Sequence, residues 1–136
     1  MKFTRTVAYA VQAVLSLAQA GGERPVPCRR LAAEGGMPER FLLQILRNLV
    51  THGVLLSTRG VEGGYRLSRS AAEISLLEII EAIDGPMSAT IEVNTEAAAS
   101  YHGRLASALA RVSDLVRREL GSITVADLLG GKDREK

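Results

Sequence analysis

The stretch Pro38-Glu39-Arg40-Phe41-Leu42-Leu43-Gln44-Ile45-Leu46-Arg47-Asn48-Leu49-Val50-Thr51-His52-Gly53, followed at once by Val54-Leu55-Leu56-Ser57-Thr58-Arg59-Gly60-Val61-Glu62-Gly63-Gly64-Tyr65-Arg66-Leu67, decides the fold. Its first part repeats apolar residues at helical spacing; its second part is two short β-prone runs around a glycine-rich loop. At about 100° per residue, Leu42, Ile45, Leu46 and Leu49 share one face of a helix and are predicted to be buried. Arg40, Gln44, Arg47, Asn48 and Thr51 fall on the opposite face, with Phe41 and Leu43 at its margins.

That polar face carries the residue types that read a major groove. Arginine pairs with guanine or phosphate, Gln and Asn pair with adenine, and Thr, Phe or Leu can meet a thymine methyl. Alone, such a face is as readily an ordinary solvated surface. The segment after it decides. The loop Arg59–Gly64 lacks the GxxxxGK[ST] pattern and joins two strands, which excludes a phosphate loop. A hairpin behind a recognition helix is a wing, and its glycines are expected to let the backbone approach a duplex closely. Arg59 at its tip suits the narrow, electronegative minor groove. Arg66 and Arg69 are expected to hold phosphates, adding affinity without sequence information.

Upstream, residues 28–34 predict a short helix stopped by Gly35-Gly36. With the helix ending at His52, this makes the helix-turn-helix outline. Residues 4–20 predict a further helix, capped by Thr4 or Thr6, with Val7, Val11, Val14 and Ala18 on one stripe. Lys2 and Arg5 ahead of the run Val7–Ala18 also outline a secretory signal. Gln12 in mid-run and the helical spacing point instead to a core helix. Downstream, Ser75 and Glu78 form a capping box for a helix over 76–84. Residues 85–100 show no period. A longer helix follows over 101–121, with Leu105, Leu109, Val112, Val116 and Leu120 on one stripe. Thr124 and Asp127 start a last short helix, and the tail from Gly130 is expected to fray.

Net charge is only +2, but it is divided unevenly. Residues 1–70 hold 10 Lys and Arg against 4 Asp and Glu, a net of +6; residues 71–136 hold 7 against 11, a net of −4. A basic half meets a polyanion, and double-stranded DNA is the expected one, not a membrane. No run reaches the roughly 20 apolar residues of a membrane span. We therefore divide the chain into a DNA-binding domain, residues 1–70, and a dimerisation and effector region, residues 71–136. The expected fold class is mainly α: a three-helix core, a two-stranded β wing and a long C-terminal dimerisation helix.

Phe41-Leu42-Leu43-Gln44-Ile45-Leu46, His52-Gly53-Val54-Leu55 and the wing Thr58 to Leu67 resemble the Rrf2 family of bacterial regulators, which includes the IscR, NsrR and CymR types. Lys2-Phe3-Thr4-Arg5 and Ile123-Thr124-Val125-Ala126-Asp127-Leu128 also fit, so the resemblance spans nearly the whole chain. It implies a cytoplasmic transcription regulator, a repressor by expectation. It further implies a homodimer built on residues 101–121 that grips a pseudo-palindromic site, with Gln44 on a base and Arg59 in the minor groove. Leu43 departs from the acidic residue common in the family, which leaves the target sequence open.

Many members of that family hold an iron–sulfur cluster on three cysteines and a fourth ligand. The aligned positions here are Glu92, Ala98, Arg104 and Ser107, and Cys28 is the single cysteine of the chain. A conventional cluster is not expected, and neither is any other cofactor or metal site. Cys28, at the start of a helix and followed by Arg29 and Arg30, is a candidate redox residue, because both features stabilise a thiolate. The alternative is a small packed residue in the turn. His52 is expected to complement its helix C-terminus; His102 decorates the long helix.

No nucleophile motif or paired-carboxylate arrangement supports an enzyme, and Glu78, Glu81 and Asp84 are expected as a solvated face. The competing reading is a winged-helix protein-interaction module, or a partner protein that has lost DNA binding. Arg59 on a glycine wing argues against it. A small-molecule or protein effector fits the second half, between helix 76–84, loop 85–100 and the long helix.

Overall fold

The computed structural model describes residues 3–87 and 96–130, with side chains in the second stretch from Tyr101 onward. Eight elements follow one another: α1 (Arg5–Gln19), α2 (Cys28–Gly35), α3 (Glu39–Thr51), β1 (Leu55–Thr58), β2 (Gly64–Leu67), α4 (Leu76–Asp84), α5 (Glu96–Ser122) and α6 (Val125–Leu129). A single 3-10 turn, Ala71–Glu73, precedes α4. This is the mainly helical winged helix-turn-helix that the sequence predicts.

The Thr4 hydroxyl accepts from the Val7 amide and caps α1. Val7, Ala10, Ala13, Val14 and Leu17 are buried on its inner face, where the two alanines leave room for neighbouring helices. The run with the outline of a secretory signal is thus a core helix. Gln12, the residue that breaks its apolar character, donates from Nε2 to the Gly35 carbonyl at 3.0 Å. A Cβ on Gly35 would lie 2.7 Å from that nitrogen and 2.6 Å from the Met37 methyl. Gly36 next to it has φ +64°. At the first glycine a side chain would have to displace only the ends of Gln12 and Met37, whereas the second is favoured by its backbone conformation.

The predicted capping box of Ser75 with Glu78 forms on α4, and Thr124 with Asp127, expected to start the last helix, forms a second one on α6. Between them the backbone pairs: Leu76 N–H donates to Ile123, and Val125 N–H donates to Ile74. This pairing returns the chain end to the N-terminal core. Val125, Ile74 and Ile79 are fully buried in one cluster with Val14, Leu46 and Leu49. The core therefore runs across residue 70 without a break, so the division drawn there does not mark two separately packed units.

Helix α5 begins at Glu96, earlier than predicted. Ala97, Ala98 and Ala99 are strong helix formers but carry no amphipathic period. Gly121 lies inside the helix and does not end it. The predicted apolar stripe divides. Leu120 is 7% exposed and packs on Val7 and Ile80, with Val116 against the same cluster. Leu105, Val112 and also Leu115 stay exposed, at 39%, 55% and 60%. Among the described residues, no helix is long and apolar enough to cross a membrane. Lys2, Glu92 and its surrounding loop, the Ala98 side chain and the tail beyond Gly130 lie outside the described residues.

Candidate nucleic-acid interface

Helix α3 separates its two faces as its spacing predicts. Leu42, Ile45, Leu46 and Leu49 are buried, whereas Arg40, Gln44, Arg47 and Thr51 are exposed. Asn48 and Leu43 are half-buried at the edge. Phe41 is 37% exposed, and its ring meets Tyr9 of α1 edge to face, with centroids 5.8 Å apart at 78°. That contact holds the first turn of α3 against α1 and fixes the direction of Phe41. His52 closes the helix: its Nδ1 lies 2.9 Å from the Asn48 carbonyl, the C-terminal role expected of it.

The wing is an antiparallel pair in the register Leu55↔Leu67, Leu56↔Arg66, Ser57↔Tyr65 and Thr58↔Gly64. Arg59 follows directly on the last pair and is exposed at the tip. Two attachments stop the hairpin from swinging. Val26 and Tyr65 exchange both backbone hydrogen bonds at 2.9 Å, an isolated β-bridge on the free edge of β2. Ser68 donates from its hydroxyl to the Gly53 and Val54 carbonyls, tying the base of β2 to the end of α3.

The wing glycines serve a different purpose from the one expected. A Cβ on Gly63 would overlap the Thr58 carbonyl, and one on Gly64 would overlap the backbone of Val26 and Pro27. Gly64 also has φ +149°. The space these two leave on the Cβ side is filled by the protein's own chain. Only Gly60, with φ +108° and nothing within 4 Å, serves the turn alone.

Arg69, expected to hold a phosphate, is engaged within the protein. Its guanidinium donates to the Glu78 carboxylate at 2.5 Å and to the Glu73 carbonyl at 2.9 Å. It fastens the end of the wing to the start of α4 and is not held out for a phosphate. Burial opposes ionisation of Glu78, but hydrogen bonds from Arg69 and Ser75 outweigh it and hold the carboxyl below its usual range. Glu81 is likewise engaged, by Arg117 of α5 and by the Met87 amide at 2.7 Å. Of the solvated acidic face expected on α4, Glu78 and Glu81 are tied in this way, whereas Asp84 is exposed. Arg66 remains half-buried on β2, opposite Leu56.

Cys28 opens α2 with its Sγ 3.7 Å from the Glu39 carbonyl. Burial pushes its thiol up, and the Glu39 carboxylate pushes it further. Both act against the stabilised thiolate expected from the helix start and Arg29-Arg30, and Arg30 is paired with Glu34. Tyr65 beside it is also raised, by burial and then by Cys28, while Arg47 acts the other way. The wing strand, the start of α2 and the exposed face of α3 therefore share one electrostatic neighbourhood. The signal that could have exposed these corrections is tertiary: Glu73, Glu78 and Glu39 reach their partners only after folding.

Comparison with known proteins gives a consistent result. The family model for Rrf2, described as an iron-dependent transcriptional regulator, matches residues 3–131. A Mycobacterium tuberculosis protein named as an HTH-type transcriptional regulator is 36% identical over 135 residues, covering 96% of this chain and 83% of that one. The HTH-type transcriptional regulator IscR of Xenorhabdus nematophila is 33% identical over 134 residues, covering 98% and 82%. The solved structure of CymR, the global cysteine regulator of B. subtilis, superposes with a TM-score of 0.74 at 28% identity, covering 94% of this chain and 95% of that one.

Proposed function

The chain belongs to the Rrf2 family and is a DNA-binding transcription regulator; from that premise we propose that it acts as a homodimeric repressor on a pseudo-palindromic operator, without an iron–sulfur cluster. One observation carries the reading of the site. The exposed face of α3, with Arg40, Gln44, Arg47 and Thr51, adjoins a wing that is anchored at both ends and exposes Arg59. The helix reads base edges in the major groove, and Arg59 enters the minor groove beside it.

The homodimer reading is supported by α5, whose Leu105, Val112 and Leu115 are exposed along one long helix. Single exposed apolar residues need no partner, but several on one helix favour an interface. The family description mentions iron, and the residues of this chain do not fit the usual cluster. Cys28 is its single thiol and lies on α2, far in sequence from the aligned positions Glu92, Ala98, Arg104 and Ser107. A signal other than a cluster, a small molecule or a partner protein, is therefore proposed to act where α4 and α5 meet.

Fluorescence-anisotropy titration against the upstream intergenic DNA and a random duplex, at two salt concentrations, tests the reading. Tighter, salt-sensitive binding to the upstream DNA, weakened by Arg59→Ala, is expected. Equal binding to both duplexes, or binding to neither, would overturn it and favour an interaction module instead.

A further inference from the structure

Residues 24–30, ahead of and at the start of α2, face the wing tip across an open cleft of about 810 Å³. Arg24 and Arg30 line one wall, and Val61, Glu62 and Gly63 line the other. Both arginines are exposed. Arg24 makes no ion pair among the described residues, and Arg30 uses only its Nε toward Glu34, leaving the rest of its fork free. Neither arginine belongs to the recognition helix or the wing.

We propose that this cleft holds the sugar–phosphate strand of bound duplex, with Arg24 and Arg30 as its phosphate contacts. The inference rests on the DNA-binding reading above and extends it. A recognition helix in a major groove and a wing tip in the adjoining minor groove are separated by one phosphodiester strand. That strand must pass between the two elements. The cleft borders that path on the side of α2: its lining comes from residues 20–30 and the wing tip, the Val26–Tyr65 pairing sets residue 26 alongside the wing, and the Cys28 Sγ lies 3.7 Å from the Glu39 carbonyl in the first turn of α3. Glu62 in the same cleft opposes a phosphate and tempers the affinity. Phosphate contacts of this kind act on every sequence alike.

The test is the salt dependence of binding by the full chain, on the upstream DNA and on a random duplex. Each phosphate contact contributes a slope of about 0.9 in log K against log salt. Arg24→Ala is expected to lower the slope by about that amount on both duplexes, Arg24→Lys to restore it, and Glu62→Gln to strengthen binding to both. Thermal melting of each variant separates loss of fold from loss of contact. An unchanged slope for Arg24→Ala, or a loss confined to the upstream DNA, would overturn the assignment. A second arm replaces chloride by inorganic phosphate at matched ionic strength. Extra competition by phosphate that Arg24→Ala abolishes, with the DNA slope unchanged, would mark a free-anion site and likewise overturn it. If the wild-type chain binds neither duplex, it is the DNA-binding reading that fails; if it binds and only the slope is unmoved, the cleft assignment alone fails.

Discussion

The Arg69 guanidinium donates to the Glu78 carboxylate at 2.5 Å while the same carboxylate accepts the Ser75 amide at 2.9 Å. One acidic side chain thus caps α4 and fastens the wing end to it. Arg69→Ala is expected to destabilise the fold by roughly 0.5 kcal/mol, since the pair is more than a third exposed and screened. Denaturant unfolding measures this, and DNA affinity should change far less than with Arg59→Ala.

The same pair predicts a pH dependence. Glu78 is held below its ordinary value of 4.5 in the folded state, so it binds protons more readily when unfolded. Its contribution is complete above the ordinary value and is lost as pH falls through the depressed one. The stability difference between wild type and Arg69→Ala should therefore be constant near neutrality and shrink below about pH 4.5. A difference that persists undiminished in acid would contradict the pairing.

Gly64 and Gly60 should respond differently to alanine. Gly64→Ala forces a methyl group into the Val26–Pro27 backbone and is expected to cost about 2–3 kcal/mol, with the wing detached and DNA binding weakened. Gly60→Ala meets open space and carries only the penalty of a positive φ, on the order of 1 kcal/mol. Thermal melts paired with anisotropy titrations distinguish the two.

Leu120 and Leu115 lie on one helix and should fail in different ways. Leu120→Ala opens a cavity beneath Val7 and Ile80 and is expected to lose about 2–4 kcal/mol at any protein concentration. Leu115→Ser removes an exposed apolar side chain and should leave the protomer folded while weakening self-association. Sedimentation over a concentration series reads the second effect and unfolding curves read the first.

Gln44→Ala is expected to cost about 1–3 kcal/mol on the specific site and little on random DNA, as a base contact should. Cys28 is expected to react slowly with a thiol reagent at neutral pH, because burial and Glu39 keep it protonated. Rapid modification there would revive the redox reading.

The helix-turn-helix and its wing were legible in the residues because both depend on local information. The 3.6-residue period of α3, the glycines of the turns and the two capping boxes are short-range rules, so the buried and exposed faces of α3 follow from its spacing. The start of α5 was not legible, since Ala97–Ala99 favour a helix without marking a face.

What a charged side chain is for depends on what folding brings to it. By itself, the sequence determined the fold class, the buried and exposed faces of α3 and the presence of a single thiol. Only the tertiary structure decided that Arg69 is tied to Glu78, that Gly64 makes room for Val26, that Leu120 belongs to the protomer core and that Arg24 faces the wing. Periodicity is written within one element, whereas each of these pairings joins two elements whose approach is set by the packing of the whole core.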